Sequence, residues 1–273
     1  MPRATVDLAS HINQTVERGH PADFPVVFEP VFRAVEGAYQ PLPHRLAVVR
    51  QDSGETLAVI SDRYTLVPHQ RILDLVQEAV APLDVGPVPR GIYVDRKGAR
   101  MRAIFKFPSL AKPIREMDDE VCPCLKIQNT YDGTSRIAIH IGAFRFVCTN
   151  LAVGGGGAFA GGFMSVHAGA IRLENVGAQL TSYLREFDRI VAIYRSWAAT
   201  PVSRLSIVEL FEPLPARVRE YVQDEFTKLS PQTVFAAYNS ATFFATHLTR
   251  SFRGAFDLLA RINRAFQERF PIQ

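Results

Sequence analysis

The stretch from Leu125 to Asn150 constrains the fold of this chain more than any other. Two runs of alternating polarity flank Asp132-Gly133, a dipeptide that tolerates the positive φ of tight turns, so the spacing predicts a β-hairpin. Successive side chains on a strand point to opposite faces of the sheet. Leu125 and Ile127, then Ile137, Ile139 and Ile141, fall on odd positions and share one face. Lys126 and Gln128, then Arg136 and His140, fall on even positions and share the other. The pattern predicts a sheet with one apolar face turned to a core and one basic, polar face.

The residues before the hairpin repeat the pattern. Ala99, Met101, Ala103, Phe105 and Phe107 are apolar and odd, while Arg100, Arg102 and Lys106 are even, interrupted by Ile104. Between Arg90 and Arg115 there are eight basic residues against one acid, Asp95. If these strands are antiparallel neighbours, Arg100, Arg102, Lys106, Lys126, Arg136 and His140 collect on one face. Two readings of that face stay open. It is a surface for an anion, or a solvated outer face that keeps the sheet soluble and blocks edge pairing. The acidic group Glu116, Asp118, Asp119 and Glu120 follows in the loop between strands, where it offsets neighbouring charge. Further on, Arg145 breaks the parity. A bulge at Gly142 would send Phe144 and Phe146 into the core and bring Arg145 to the basic side. The alternative is that the two phenylalanines stack on bases beside the arginines.

At 273 residues and 47% hydrophobic, the chain can bury a sizeable core. A net charge of +4 permits nucleic-acid or phosphate partners without demanding them. Three cysteines, an odd number, suggest a reducing compartment. The first residues hold no apolar signal-peptide core, and the weakly polar run 151–164 is too short for a membrane span. The expectation is a cytoplasmic protein that does not enter membranes.

Along the chain, residues 1–44 read as an N-terminal extension with a Pro-punctuated, Phe-rich segment from Phe24 to Tyr39. Leu46–Val49, Thr56–Ile60 and Tyr64–Val67 suit short strands. Pro68 opens a helix to about Ala81, with Ile72, Leu73, Val76 and Val80 inward and Pro82 stopping it. A long helix is expected over 173–198. Leu173, Val176, Leu180, Leu184, Phe187, Val191, Tyr194 and Ala198 form its stripe against the sheet. Further helices follow at about 216–229, 231–249 and 254–270. The expected fold is α+β: an antiparallel β-hairpin sheet with a long amphipathic helix packed across it, and a helical C-terminal portion. Its divisions are 45–200 for the core domain and 201–273 for the helical region.

Three candidate sites can be weighed. Gly154–Gly157 with Gly161 and Gly162 could cradle phosphate through backbone N–H groups, but the cluster lacks the P-loop ending and reads better as a loop tip. Cys122, Cys124, Cys148, His140 and His167 lack zinc-knuckle spacing, so neither a metal nor a disulfide is expected. A Cys148 nucleophile with His167 and Asp132 would need a spatial adjacency that spacing does not show, and Asp132 equally suits a turn cap. No cofactor is expected.

The motifs around these residues carry a resemblance. Asn129-Thr-Tyr-Asp-Gly-Thr134, Arg145-Phe-Val-Cys-Thr-Asn150, and His167 before a long helix resemble the phage/plasmid-like family called domain of unknown function 932. Its pattern runs approximately Asn-Ser-His-Asp-Gly-Ser, Arg-x-Val-Cys-x-Asn, then His-Thr. Thr233 to Thr242 resembles its Trp-x-x-Tyr-Asn-Ala-x-Thr segment, and the likeness spans about 45–250. On that likeness Asn129, Asp132, Gly133, Cys148, Asn150, His167, Tyr238 and Asn239 are family motif residues, structural or functional. This chain departs from the pattern with Tyr131 for His, Phe235 for Trp and Ala168 for Thr. The resemblance implies a protein of phages, plasmids and integrated elements. More remotely, its order of hairpins and long helix is similar to that of single-strand annealing recombinases, which form rings and hold DNA in a basic groove.

The leading expectation is a non-enzymatic homo-oligomer that binds single-stranded DNA or RNA, with annealing and recombination as the associated activity. Arg100, Arg102, Lys106, Lys126, Arg136, His140 and Arg145 are the expected nucleic-acid contacts. The second reading is a protein-interaction or anti-defence accessory module, and the third a Cys- or metal-dependent enzyme.

Overall fold

Two antiparallel sheets follow one another along the chain, and helices close them. The computed structural model describes residues 20–88, 90–115, 119–145, 151–153, 161–168, 176–249 and 252–271. The first sheet has the order β1-β2-β3, with β1 (Val26–Val35), β2 (Ala38–Arg50) and β3 (Thr56–Ser61). The short strands expected at 46–49 and 56–60 lie inside β2 and β3. β2 runs straight through residue 45, so the described part of the expected N-terminal extension belongs to this sheet. Tyr64 to Val67 is a connection and not a strand.

Helix α1 (His69–Val80) follows Pro68 and buries Ile72, Leu73, Val76 and Val80, the i, i+1, i+4, i+8 pattern of an amphipathic helix. The second sheet comprises β4 (Arg90–Asp95), β5 (Arg100–Lys106), β6 (Lys112–Pro113), β7 (Glu120–Thr130), β8 (Ile137–Arg145), β9 (Leu151–Val153) and β10 (Gly161–Ser165). Its spine runs β10-β8-β7-β5-β4, with β6 beside β7 and β9 beside β8. The expected hairpin is β7–β8. Leu125 faces Ile141 and Ile127 faces Ile139, all of them buried. Gly133 carries the turn with φ +66°, a conformation that costs a residue with a Cβ.

α2 (Val176–Ala199) crosses the sheet. Its buried residues are Leu180, Tyr183, Phe187, Ile190, Val191, Ile193, Tyr194 and Trp197. The stripe is wider than expected and turned slightly, so Leu184 and Ala198 are only partly buried. The reason is a second partner, because α2 packs on the C-terminal helices as well as on the sheet. Those helices are α3 (Arg204–Phe211), α4 (Ala216–Lys228), α5 (Val234–Phe243) and α6 (Phe252–Arg269), with one π-helical turn, Phe244–Leu248, after α5. Pro215 precedes α4, and the Thr233 hydroxyl caps α5 by accepting from the Ala236 N–H at 3.2 Å. Tyr194, Trp197, Phe235, Tyr238 and Phe266 form an aromatic cluster at this junction. Rings of that size contribute about 1.5–3 kcal/mol each on burial.

Phe24, Val48, Ile60 and Tyr131 pack together where the first sheet meets the second. A Cβ on Gly98 would come within 2.5 Å of the Phe24 ring, and Gly98 has φ +106°, so that position requires glycine.

Candidate functional site

The strand register places the expected cations on one face. Arg102 pairs with Gln128, which pairs with Ala138; Ile104 pairs with Lys126, which pairs with His140; Lys106 pairs with Cys124. Directly opposed residues share a face, so Arg100, Arg102, Lys106, Lys126 and His140 do lie together. That face is not an open surface. Lys126 is 2% exposed and Lys106 9% exposed. Arg136 is exposed, but it sits in the loop ahead of β8 and outside the row.

Burial sets the electrostatics of this row. The Lys126 amine is pulled down to about 7 by burial and then by the Arg102 guanidinium. His140 is lowered to about 4 by burial and by Lys126. Lys106 is lowered by burial and lies 4.0 Å over the Phe144 ring. Between the cations, Ile104, Cys122, Cys124 and Phe144 form an apolar cluster. Those four even-numbered residues were the signal that this face is also packed. Burial pushes the Cys122 thiol up to about 11 and Cys124 higher still, the opposite of what a reactive thiol needs. Among the described residues no three His, Cys, Asp or Glu side chains are placed to hold a metal ion. Cys148, Asn150, Phe146 and Gly154–Gly157 lie outside the described residues, while Gly161 and Gly162 open β10.

The hairpin end gathers the first group of motif residues, and each ties chain segments together. Asn129 Nδ2 donates to the Val67 carbonyl at 2.9 Å and to His69 Nδ1 at 2.8 Å. His69 Nε2 donates to the Gly98 carbonyl at 2.9 Å, so the ring is neutral with its tautomer fixed by two partners. Burial lowers His69 to about 3. Tyr131 stacks on that ring at 3.9 Å, and its hydroxyl accepts from the His69 N–H at 2.7 Å. This cluster anchors the start of α1 to β7. Asp132 accepts from Thr134 N and Oγ1 at 3.1 and 2.5 Å, and from Arg100 Nε at 2.7 Å. Burial raises its carboxyl, but the Thr134 and Arg100 hydrogen bonds outweigh that and hold it below the usual range. Arg100 is therefore an ion-pair partner in the turn. His167 stacks on Tyr64 at 4.6 Å, and its Nδ1 lies 3.2 Å from the Thr65 carbonyl. Spacing alone did not single out Tyr64 or His69, although His69 stands directly after the Pro68 that opens α1.

Arg145 lies elsewhere. No bulge occurs at Gly142, because the β7–β8 register runs unbroken from Gln128↔Ala138 to Val121↔Arg145. Phe144 stays on the even face, and Arg145 stays on the odd one. A charge is tolerated there because β8 ends at Arg145. Asp119 takes the guanidinium in two hydrogen bonds, at 2.5 and 2.7 Å, and the Phe235 ring lies 5.3 Å from it. The acidic loop does offset charge as expected, through this residue.

Arg145 and Phe235 line a cleft of about 360 Å³ between the sheet end and α4–α5. Arg115 enters from beyond β6, donating to the Thr233 hydroxyl that caps α5 at 2.8 Å. Tyr221, Glu225, Asn239, Ser240 and Phe243 lie along its walls. Asn239 is fixed by its own helix, donating to the Phe235 carbonyl at 2.8 Å. Tyr238 turns into the core and donates to Asn263 Oδ1 at 2.7 Å. The cleft thus joins Arg145 to Phe235 and Asn239, motif segments about ninety residues apart. Spacing in the sequence does not mark Arg115 and Asp119 as site residues, since only the tertiary fold brings them to this cleft.

Among the described residues no helix is long and apolar enough to cross a membrane. Residues 56–267 match the family model described as Domain of unknown function (DUF932). No curated protein and no solved structure matches the chain.

Proposed function

The chain belongs to the DUF932 family, and from that premise we propose that it is a phage/plasmid-type protein that binds single-stranded nucleic acid, as a homo-oligomer, with a backbone phosphate seated in the Arg115–Arg145 cleft. The observation that supports this reading is the pairing of two guanidiniums with aromatic walls in one cleft. Phosphates are bound through Arg and Lys, and bases stack on aromatic faces without regard to sequence. Tyr221 and Phe243, both half-buried, supply such faces, the buried Phe235 forms the floor beneath Arg145, and Asn239 and Ser240 supply short polar groups. Asp119 holds Arg145 in place before any ligand arrives, which lowers the ordering cost of binding. Glu225 and Asp119 subtract charge, so affinity at this cleft alone is modest, and several copies in an oligomer would add along one strand. Annealing and recombination follow only if strands are held side by side, and they belong to this proposal as its consequence.

The test is a salt titration of labelled oligothymidylate and oligouridylate. Each phosphate neutralised on a single strand contributes about 0.7 to the slope of log K against log salt. Arg115→Ala with Arg145→Ala should flatten the slope by about 1.4 and weaken all sequences alike. Wild-type protein that binds neither polymer at low salt, or a slope the pair leaves unchanged, removes this reading. The interaction-module reading then stands first, and the exposed apolar surface of β1–β2 favours it.

A further inference from the structure

The first sheet overruns the core it covers. Phe28 lies opposite Val48, which is fully buried, so the even positions of β1 face inward. Those positions are Val26, Phe28, Pro30, Phe32 and Ala34, and none carries a charge. An irregularity between Pro30 and Phe32 takes up residues 42–45 of β2, where His44 has φ +59°. Beyond it, Phe32 lies opposite Pro41 and Ala34 opposite Tyr39. The apolar strip therefore continues outward past the body of the protein, with Phe28 38%, Phe32 53% and Tyr39 81% exposed. None of the 18 residues 28–45 is buried.

We infer that this β1–β2 ribbon is a self-association surface, on which the Phe28–Phe32–Tyr39 strip packs against the same strip of a second copy about a two-fold axis. Nucleic acid is a poor occupant, because phosphate needs cations within the strip and Arg33 lies on the opposite face. An isologous pair is a good one. Like surface meets like, and with no charge on the strip none is desolvated when two copies close. The ribbon's 18 residues divide between two faces, so the strip forms the centre of the contact and neighbouring surface completes it. Exposed aromatic rings are the residue type that dominates such contacts.

Sedimentation velocity on the full chain without nucleic acid tests this apart from the proposed function. Wild-type protein is expected at the mass of two chains. Phe32→Asp and Tyr39→Asp should each return it to one chain that keeps a cooperative unfolding transition, because both positions are exposed in the single chain. Tyr39→Ser, a milder change at the more exposed position, should weaken the dimer at least tenfold and guards against a folding defect in the Asp variants. A wild-type monomer at high concentration overturns the inference. So does a dimer or larger ring that survives both Asp substitutions.

Discussion

The second sheet and the ribbon of the first are inverted with respect to one another. The even face of β5–β7–β8 hides cations, with Lys126 at 2% exposure, while the even face of β1 shows aromatic rings, with Tyr39 beyond it at 81%. On the second sheet the alternation is regular but for Ile104, while on β1 only the even positions are free of charge and the odd ones mix Val27, Val31 and Val35 with Glu29 and Arg33. Alternation fixes which residues share a face, because the strand repeat is two. It does not fix what lies on that face. On the second sheet Ile104, Cys122, Cys124 and Phe144 make half of the basic face apolar, enough to pack it. On the ribbon the strands outrun the core beneath them.

Substitutions separate the two regions most sharply where burial differs most. Leu180→Ala removes a side chain of zero exposure from under the sheet and should cost about 2–5 kcal/mol in chemical denaturation. The partly buried Leu184 should cost less, and Phe32→Ala on the ribbon less than about 0.5 kcal/mol. At a protein concentration low enough to leave single chains, a ribbon change as costly as the Leu180 one would mean that the strip is covered within that chain. Next in size, Arg100→Ala leaves the Asp132 carboxylate without a charged partner and should cost about 1–3 kcal/mol, since both groups are largely buried. On this account Arg100 serves the turn, and an effect of Arg100→Ala on nucleic-acid affinity with stability intact would contradict that assignment.

Much of this was legible in the sequence. The hairpin, α1, the crossing helix and the sharing of one face by Arg102, Lys126 and His140 all follow from periodicity and turn chemistry. The ribbon was not, because Pro30, Pro41 and Pro43 interrupt the segment and hide its alternation. The cleft was not legible either. Arg115, Asp119 and Arg145 meet only once β6 and β7 fold back on β8, and no local pattern encodes that.

The titrating groups of the covered region give smaller, graded effects. His69 and His140 have pKa values of about 3 and 4 in the fold against 6.5 ordinarily. The unfolded chain therefore binds more protons between those limits, and stability should fall as pH drops below about 6.5. Lys126 acts in a higher window. Its depressed pKa means that the fold binds its proton less readily than the unfolded chain does, so this group makes stability rise from about pH 7, opposed above about pH 9 by the Cys122 and Cys124 thiols that burial keeps protonated. Lys126→Met should abolish that rise and leave stability near neutral pH equal or higher, as replacing a buried charge with an apolar side chain often does. Denaturation midpoints across pH 7–10 check both statements, and a rise that persists in Lys126→Met would assign it to another group.

The measurement that most directly tests the covered face is amine acetylation of the native protein, read by peptide mass spectrometry. The chain has five lysines, at 97, 106, 112, 126 and 228. Lys97, Lys112 and Lys228 have side chains 70%, 39% and 57% exposed and should be modified readily, whereas Lys106 and Lys126 should stay protected until the protein is unfolded. Modification of Lys126 at the rate of Lys97 in the folded protein would show the sheet face to be open. The phosphate contacts would then move back from the cleft to the basic row.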